Sequence, residues 1–250
     1  EACKSGLEAG DFAYAGYGAA TEAWSAFIIS RDLDRFVRDY TPTLALLEKI
    51  RMTDFLAAHR IILNWALALQ GRTSGRLSLS DSTFDEGACI AMYERAAPFF
   101  LTFVYVAQLH LRLMHGAFTD ALAAAQRAAE VAPGGTIWPV LIDLWGGLAA
   151  AAACDTAAEE ERPSLLAQVA RAQELARELA ESCPENFRCF SLLLSAERNR
   201  VDGQHEAAAM LCEEAIAYAR RTDNLQQEAL ANELCARIWL NREHDTRAAA

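Results

Sequence analysis

The chain has 250 residues, 53% of them hydrophobic and 23% charged, and its 23 basic and 34 acidic side chains leave a net charge of −11. Such a composition suits a globular protein that buries a core without metal or disulfide staples, and it excludes intrinsic disorder. The negative balance excludes the positive field needed to bind nucleic-acid backbones or anionic membrane surfaces.

Alanine is the outlier at 51 residues, whereas Lys occurs only at positions 4 and 49. Chains rich in Ala, Leu, Glu and Arg favour helix, and apolar spacings of three and four recur along this one. Together with turn signals they predict twelve helices, over 1–9, 11–29, 32–51, 53–70, 84–96, 98–114, 117–131, 136–153, 163–181, 186–201, 204–221 and 224–241. Pro42 is expected to kink the third helix. The Ser-, Gly- and Thr-rich stretch 71–83 is expected to be a flexible loop. Thr83 with Glu86 reads as a capping box, and Pro98 and Pro163 fit first turns. Gly10, Gly116 and Gly203 read as helix stops, and Asp223 as the cap of the last helix. In 164–182 the apolar set is Leu165, Val169, Ala172, Ala176 and Leu179; in 204–221 it is Ala208, Leu211, Ala215 and Tyr218. Apolar runs at 99–114 and 137–154 are shorter than the roughly 20 residues a spanning helix needs, so both read as buried helices.

A repeat shows through this pattern. Gly116-Ala117-Phe118 is followed by Ala121, Ala128 and Pro133, Gly203 by His205, Ala208 and Ala215, and Gly10 by Phe12 and Ala15. Glycine closing a turn, with small residues where paired helices meet, resembles a tetratricopeptide repeat. The glycines are not spaced by multiples of 34, so the helices are expected to be uneven. The expected fold is all-α, a tetratricopeptide-like right-handed superhelix of about twelve antiparallel helices filling 1–250 as one domain.

A broader resemblance rests on two segments. Gly10-Asp11-Phe12-Ala13-Tyr14-Ala15-Gly16-Tyr17 and Gln227-Glu228-Ala229-Leu230-Ala231-Asn232-Glu233-Leu234-Cys235-Ala236-Arg237 are similar to the helical-repeat region of large bacterial signalling proteins. Those proteins join a serine/threonine kinase-like domain, an AAA-type ATPase, helical repeats, a GAF domain and a sensor histidine kinase. Many Ala and Arg with few Lys also suit a GC-rich bacterial genome. Pro42 and Glu243, the latter where Gly is expected, depart from the pattern. The resemblance implies a non-catalytic scaffold, cut from a longer cytoplasmic chain, that contacts flanking domains or protein partners. Related regulators imply an alternative, a sensor binding a small-molecule effector inside the superhelix. No kinase or ATPase motif lies in this chain, so no catalytic residue carries over.

Residue chemistry adds little to that picture. The seven scattered Cys do not form a disulfide framework and read as buried thiols in a reducing compartment. The five His lack metal-ligand spacing and read as surface imidazoles, and no metal or cofactor is expected. Gly71–Arg76 lacks the spacing, the Lys and the preceding strand of a phosphate loop. Asp143, inside an apolar helix, is expected to be buried with an Arg or an amide as partner. Aromatics cluster at Phe12, Tyr14, Tyr17, Trp24 and Phe27, and at Phe99, Phe100, Phe103 and Tyr105. Their helical spacing suits core packing; a concave groove lined by Tyr14, Tyr17 and Trp24 is the alternative. Glu228, Asn232 and Glu233 form a second candidate surface, with hydrogen bonds between adjacent helices as the alternative role.

Overall fold

The computed structural model describes residues 1–248, and side chains as far as Leu240, so Glu243 lies beyond the described side chains. The described residues form helices and turns with no strand. In order the helices are α1 (Ala2–Ala9), α2 (Phe12–Ile28), α3 (Leu33–Lys49), α4 (Thr53–Leu69), α5 (Glu86–Ala96), α6 (Leu101–Met114), α7 (Phe118–Val131), α8 (Trp138–Ala153), α9 (Arg162–Ser182), α10 (Pro184–Val201), α11 (His205–Arg221) and α12 (Leu225–Ala248). Two boundaries move by more than two residues from those predicted. A 3₁₀ turn, Pro98–Phe100, precedes α6, and α12 continues past residue 241. Among the described residues no helix is long and apolar enough to cross a membrane. The chain divides into two compact units, Glu1–His115 with Gln126–Trp138, and Gly116–Ala125 with Pro139 onward.

In the first unit α2 packs against α1, α3 and α4, and α4 against α6. Ala15, Ala19, Ala23 and Phe27 form its buried stripe, stepping by four along one face. Asp11, Asp32 and Asp85 cap α2, α3 and α5 by accepting from the amides of Tyr14, Arg35 and Ala88. The expected Thr83–Glu86 capping box therefore does not form. Asp85 stands nearer the helix start, and the Glu86 carboxylate is used elsewhere. It accepts from the Leu79 amide at 3.0 Å and the Gln108 amide nitrogen at 2.5 Å. Buried Asn64 of α4 donates to the Leu79 carbonyl at 2.7 Å and to Asp81 at 3.0 Å. Stretch 71–83 is thus free of helix but tied to α4, α5 and α6, with Leu79 wholly buried. Burial works against ionisation of Asp81, yet hydrogen bonds from Thr83, Asn64 and Phe84 outweigh it and hold its carboxyl below the usual range. Helix α3 runs through Pro42 without a break.

In the second unit α9, α10, α11 and α12 pack in succession. Turns this short make successive helices antiparallel. Val169, Ala172 and Ala176 are buried as the spacing predicts, and so are Ala208 and Ala215. The stripe on α11 is completed by Cys212 and Ala219 rather than by Leu211 and Tyr218, which are half-buried. Buried Arg200 of α10 gathers the unit's centre. It donates to Glu197 at 3.0 and 3.1 Å, to Asp155 at 2.6 Å and to the Ala151 carbonyl at 2.8 Å. At the start of α12 Asn224 accepts from the Gln227 amide at 3.1 Å. Asp143 is exposed, because α8 turns it away from the buried run Leu144–Ala153. Five of the seven cysteines are buried thiols, and Cys3 and Cys183 are half-buried.

Several helix ends share one turn. At Gly10, Gly71 and Gly203 φ is positive, and the next amide reaches back to the carbonyl five residues earlier at 2.8–2.9 Å. The same paired bonds occur after Arg51 (φ 57°) and Asp223 (φ 58°), where the residue carries a Cβ. Left-handed backbone costs an L-residue about 1–2 kcal/mol. Glycine's extra unfolded-state entropy costs about 0.4–1 kcal/mol. Arg51→Gly is therefore expected to stabilise the protein by roughly 0.5–1 kcal/mol, read as a higher urea midpoint; a lower midpoint contradicts the turn assignment.

Close approach makes the opposite demand on Gly147. A Cβ there would lie 2.2 Å from Ala172 Cβ and 3.1 Å from Leu194 Cδ2. Helix propensity favours Ala by about 1 kcal/mol, but overpacking costs about 1–3 kcal/mol and meets backbone-fixed atoms here. Gly147→Ala is expected to lower stability by about 1–2 kcal/mol, whereas Ala at Gly134, which faces open space, leaves the unfolding midpoint nearly unchanged.

Candidate functional site

The first unit holds an aromatic cleft of about 320 Å³. One side of it is a single stripe of α2: Tyr17, Ala20, Thr21 and Trp24 share a face at helical spacing. Phe55 comes from the start of α4. Phe99 and Phe100 come from the 3₁₀ turn and Phe103 from α6, while Thr136, Ile137 and Trp138 come from the segment entering α8. The two aromatic clusters of the sequence, far apart in the chain, therefore meet here.

Ring geometry keeps the walls in register. Tyr17 meets Phe55 edge-on at 4.6 Å, and Phe55 meets Phe100 edge-on at 5.8 Å. On the other side Trp24 lies 4.3 Å from Trp138, which takes Phe103 edge-on at 4.9 Å. Offset and edge-to-face pairs of this kind are the favoured arrangements of aromatic quadrupoles. Gly16 makes the Phe55 seat possible, since a Cβ there would stand 2.4 Å from Phe55 Cδ2. No charged side chain lines the cleft.

A second, shallower hollow adjoins it, sharing Tyr17 and Thr21 and adding Glu1, Ala2, Tyr14, Gly18, Glu22 and Ser25. Of the aromatic candidates, Tyr17 and Trp24 face the cleft, and Tyr14 lies on the outer hollow. Tyr14 and Tyr17 are exposed, at 54% and 57%, so neither is core. Trp24 is half-buried. Phe27, Phe100 and Tyr105 are core.

Glu228, Asn232 and Glu233 lie on α12, in the second unit. Glu228 accepts from Arg220 of α11 at 2.6 Å, Asn232 donates to the Glu228 carbonyl at 2.8 Å, and Glu233 is exposed. The first of these bonds joins neighbouring helices, as the alternative role has it. Sequence reading missed Phe55 and Trp138, which stand outside both aromatic clusters. The only signal for Trp138 is its place in an apolar run just after Gly134-Gly135.

Behind the cleft lies a buried polar pair. Trp65, whose ring centre is 5.6 Å from that of Trp24, donates its indole N–H to His110 Nδ1 at 3.1 Å. His59 is also buried, with Nε2 2.9 Å from the Tyr40 carbonyl. These two are not the surface imidazoles expected. They sit on the inward faces of α4 and α6, where neighbouring groups supply partners. No group of three metal-binding side chains occurs among the described residues.

Compared with known proteins, the chain matches no protein-family model, no curated protein and no solved structure.

Burial holds His110 down at about 4, helped by the charge of His115, and burial also lowers His59. In the unfolded chain a His titrates near 6.5. Between those values the unfolded state binds a proton that the folded state refuses, so stability is lost as pH falls through this window and is whole above it. Urea unfolding is expected to lose about 2–3 kcal/mol between roughly pH 7 and pH 4.5 through His110. His110→Gln, which keeps an acceptor for Trp65, flattens that dependence; an unchanged slope in the variant rules His110 out as its source.

Proposed function

We propose that this chain is a non-catalytic helical-repeat module of a larger cytoplasmic signalling protein of the kinase–ATPase type, and that its first unit receives a small aromatic effector. The single observation that carries the effector reading is the aromatic cleft. A largely apolar hollow of about 320 Å³, with a few hydroxyls at its edge, has the size and lining of a small-molecule site. On this reading the effector sits against Tyr17, Trp24, Phe55, Phe103 and Trp138, and its binding is passed to flanking domains or protein partners. The tetratricopeptide-like superhelix belongs to the same proposal, supported by glycine-closed turns, small-residue seams and the succession α9 to α12.

The test is thermal unfolding of the whole chain against a library of small apolar and aromatic metabolites. A ligand at a hundred times its Kd adds about 2.7 kcal/mol, which for a chain of this size raises Tm by roughly 5–10 °C. Thr21→Phe, which places a ring at the exposed rim of the cleft, is expected to abolish the shift without changing the helical circular dichroism. No stabilising compound, or a shift that survives Thr21→Phe, overturns the effector reading.

A further inference from the structure

We infer that the cleft selects a planar aromatic cation over neutral and anionic molecules of the same shape. This rests on the reading of the cleft as a ligand site and adds the class of ligand.

The first observation is what lines the cleft. Seven aromatic residues, Tyr17, Trp24, Phe55, Phe99, Phe100, Phe103 and Trp138, surround it, and no Lys, Arg or His is among its lining residues. An anion entering here finds no cationic partner and is repelled by the π faces. A neutral ring system gains stacking and apolar burial alone. A cation gains in addition the attraction of the ring quadrupoles, greatest for Trp, and desolvation inside the cleft strengthens it.

The second observation concerns the adjoining hollow. Tyr17 and Thr21 line both cavities, so the two lie side by side. Glu1 lines the outer one together with Glu22, which stands one residue beyond Thr21 and is exposed on α2. A flat body seated between Trp24 and Phe55 would carry its charged edge towards that carboxylate. The net charge of −11 adds a long-range field of the same sign. The modest volume and ring-lined walls favour a rigid, flat molecule of two or three fused rings over a flexible chain.

Acridine and 10-methylacridinium differ mainly by a methyl group and a positive charge, and acridine is neutral at mildly alkaline pH. Both are titrated into the whole chain, with quenching of tryptophan fluorescence as the readout. The cation is expected to bind roughly three- to thirtyfold more tightly, the span of cation–π energies from exposed to desolvated sites. Glu22→Gln is expected to narrow that ratio while leaving acridine affinity unchanged, and Thr21→Phe to abolish both. Equal affinities, or a ratio untouched by Glu22→Gln, overturn the cation selectivity while the cleft stands as a binding site. Binding of neither probe, or binding of both that survives Thr21→Phe, overturns the ligand reading itself.

Discussion

Helices built largely from alanine have little side chain with which to fill the space between them, so their backbones must come close. That constraint governs both units. In the first, Gly6 and Gly18 bring α1 and α2 so near that a Cβ on either would sit 2.6 Å from a backbone nitrogen. In the second, Gly147 lies directly over Ala172, and wholly buried alanines line α8 to α11. Each such contact buries little area, and at about 25 cal/mol per Å² the gain per residue is small. Stability comes from many close seams, and one added methyl group is felt at once.

Polar groups buried among these seams have defined partners. Burial works against the charge of Arg200, but Glu197 and Asp155 together raise its proton affinity and keep the guanidinium charged. Pairs of this kind cost desolvation that their attraction only partly returns, and removing one partner does far more harm than replacing the whole set. Arg200 links α10, the end of α8 and the turn after it, contacts that apolar packing alone leaves free to slide. In the first unit Asn64, Glu86 and Gln108 do the corresponding work, fastening an otherwise irregular segment across three helices.

The proposed function depends on shape and surface. The cleft brings rings from four separate segments into edge-on and tilted contact, with hydroxyls at its edge and the Glu1 and Glu22 carboxylates in the adjoining hollow. The buried Trp65–His110 pair fixes the ring behind Trp24, so the cleft wall has a hydrogen-bonded backing as well as an apolar one.

Helical identity was legible in the sequence because it is local. Apolar spacing, Ala content, and Gly and Pro punctuation act within a few residues, and they placed Ala15, Ala121, Ala128, Ala208 and Ala215 inside and Gly10, Gly116 and Gly203 at left-handed turns. Where two neighbouring residues compete for one role, spacing did not choose: Asp85 displaced Thr83, because cap geometry is decided by where the helix axis begins. Arg51 gave no sign of its left-handed turn, since nothing in its side chain requires one. Asp143, His59 and His110 were misjudged because the facing of a residue on an all-apolar helix depends on which neighbour the helix meets. The cleft belongs to the tertiary structure alone. Tyr17 and Trp24 were visible as a stripe, but Phe55 and Trp138 reach it from distant segments, and only the packing of α2, α4, α6 and the entry to α8 brings them within ring contact.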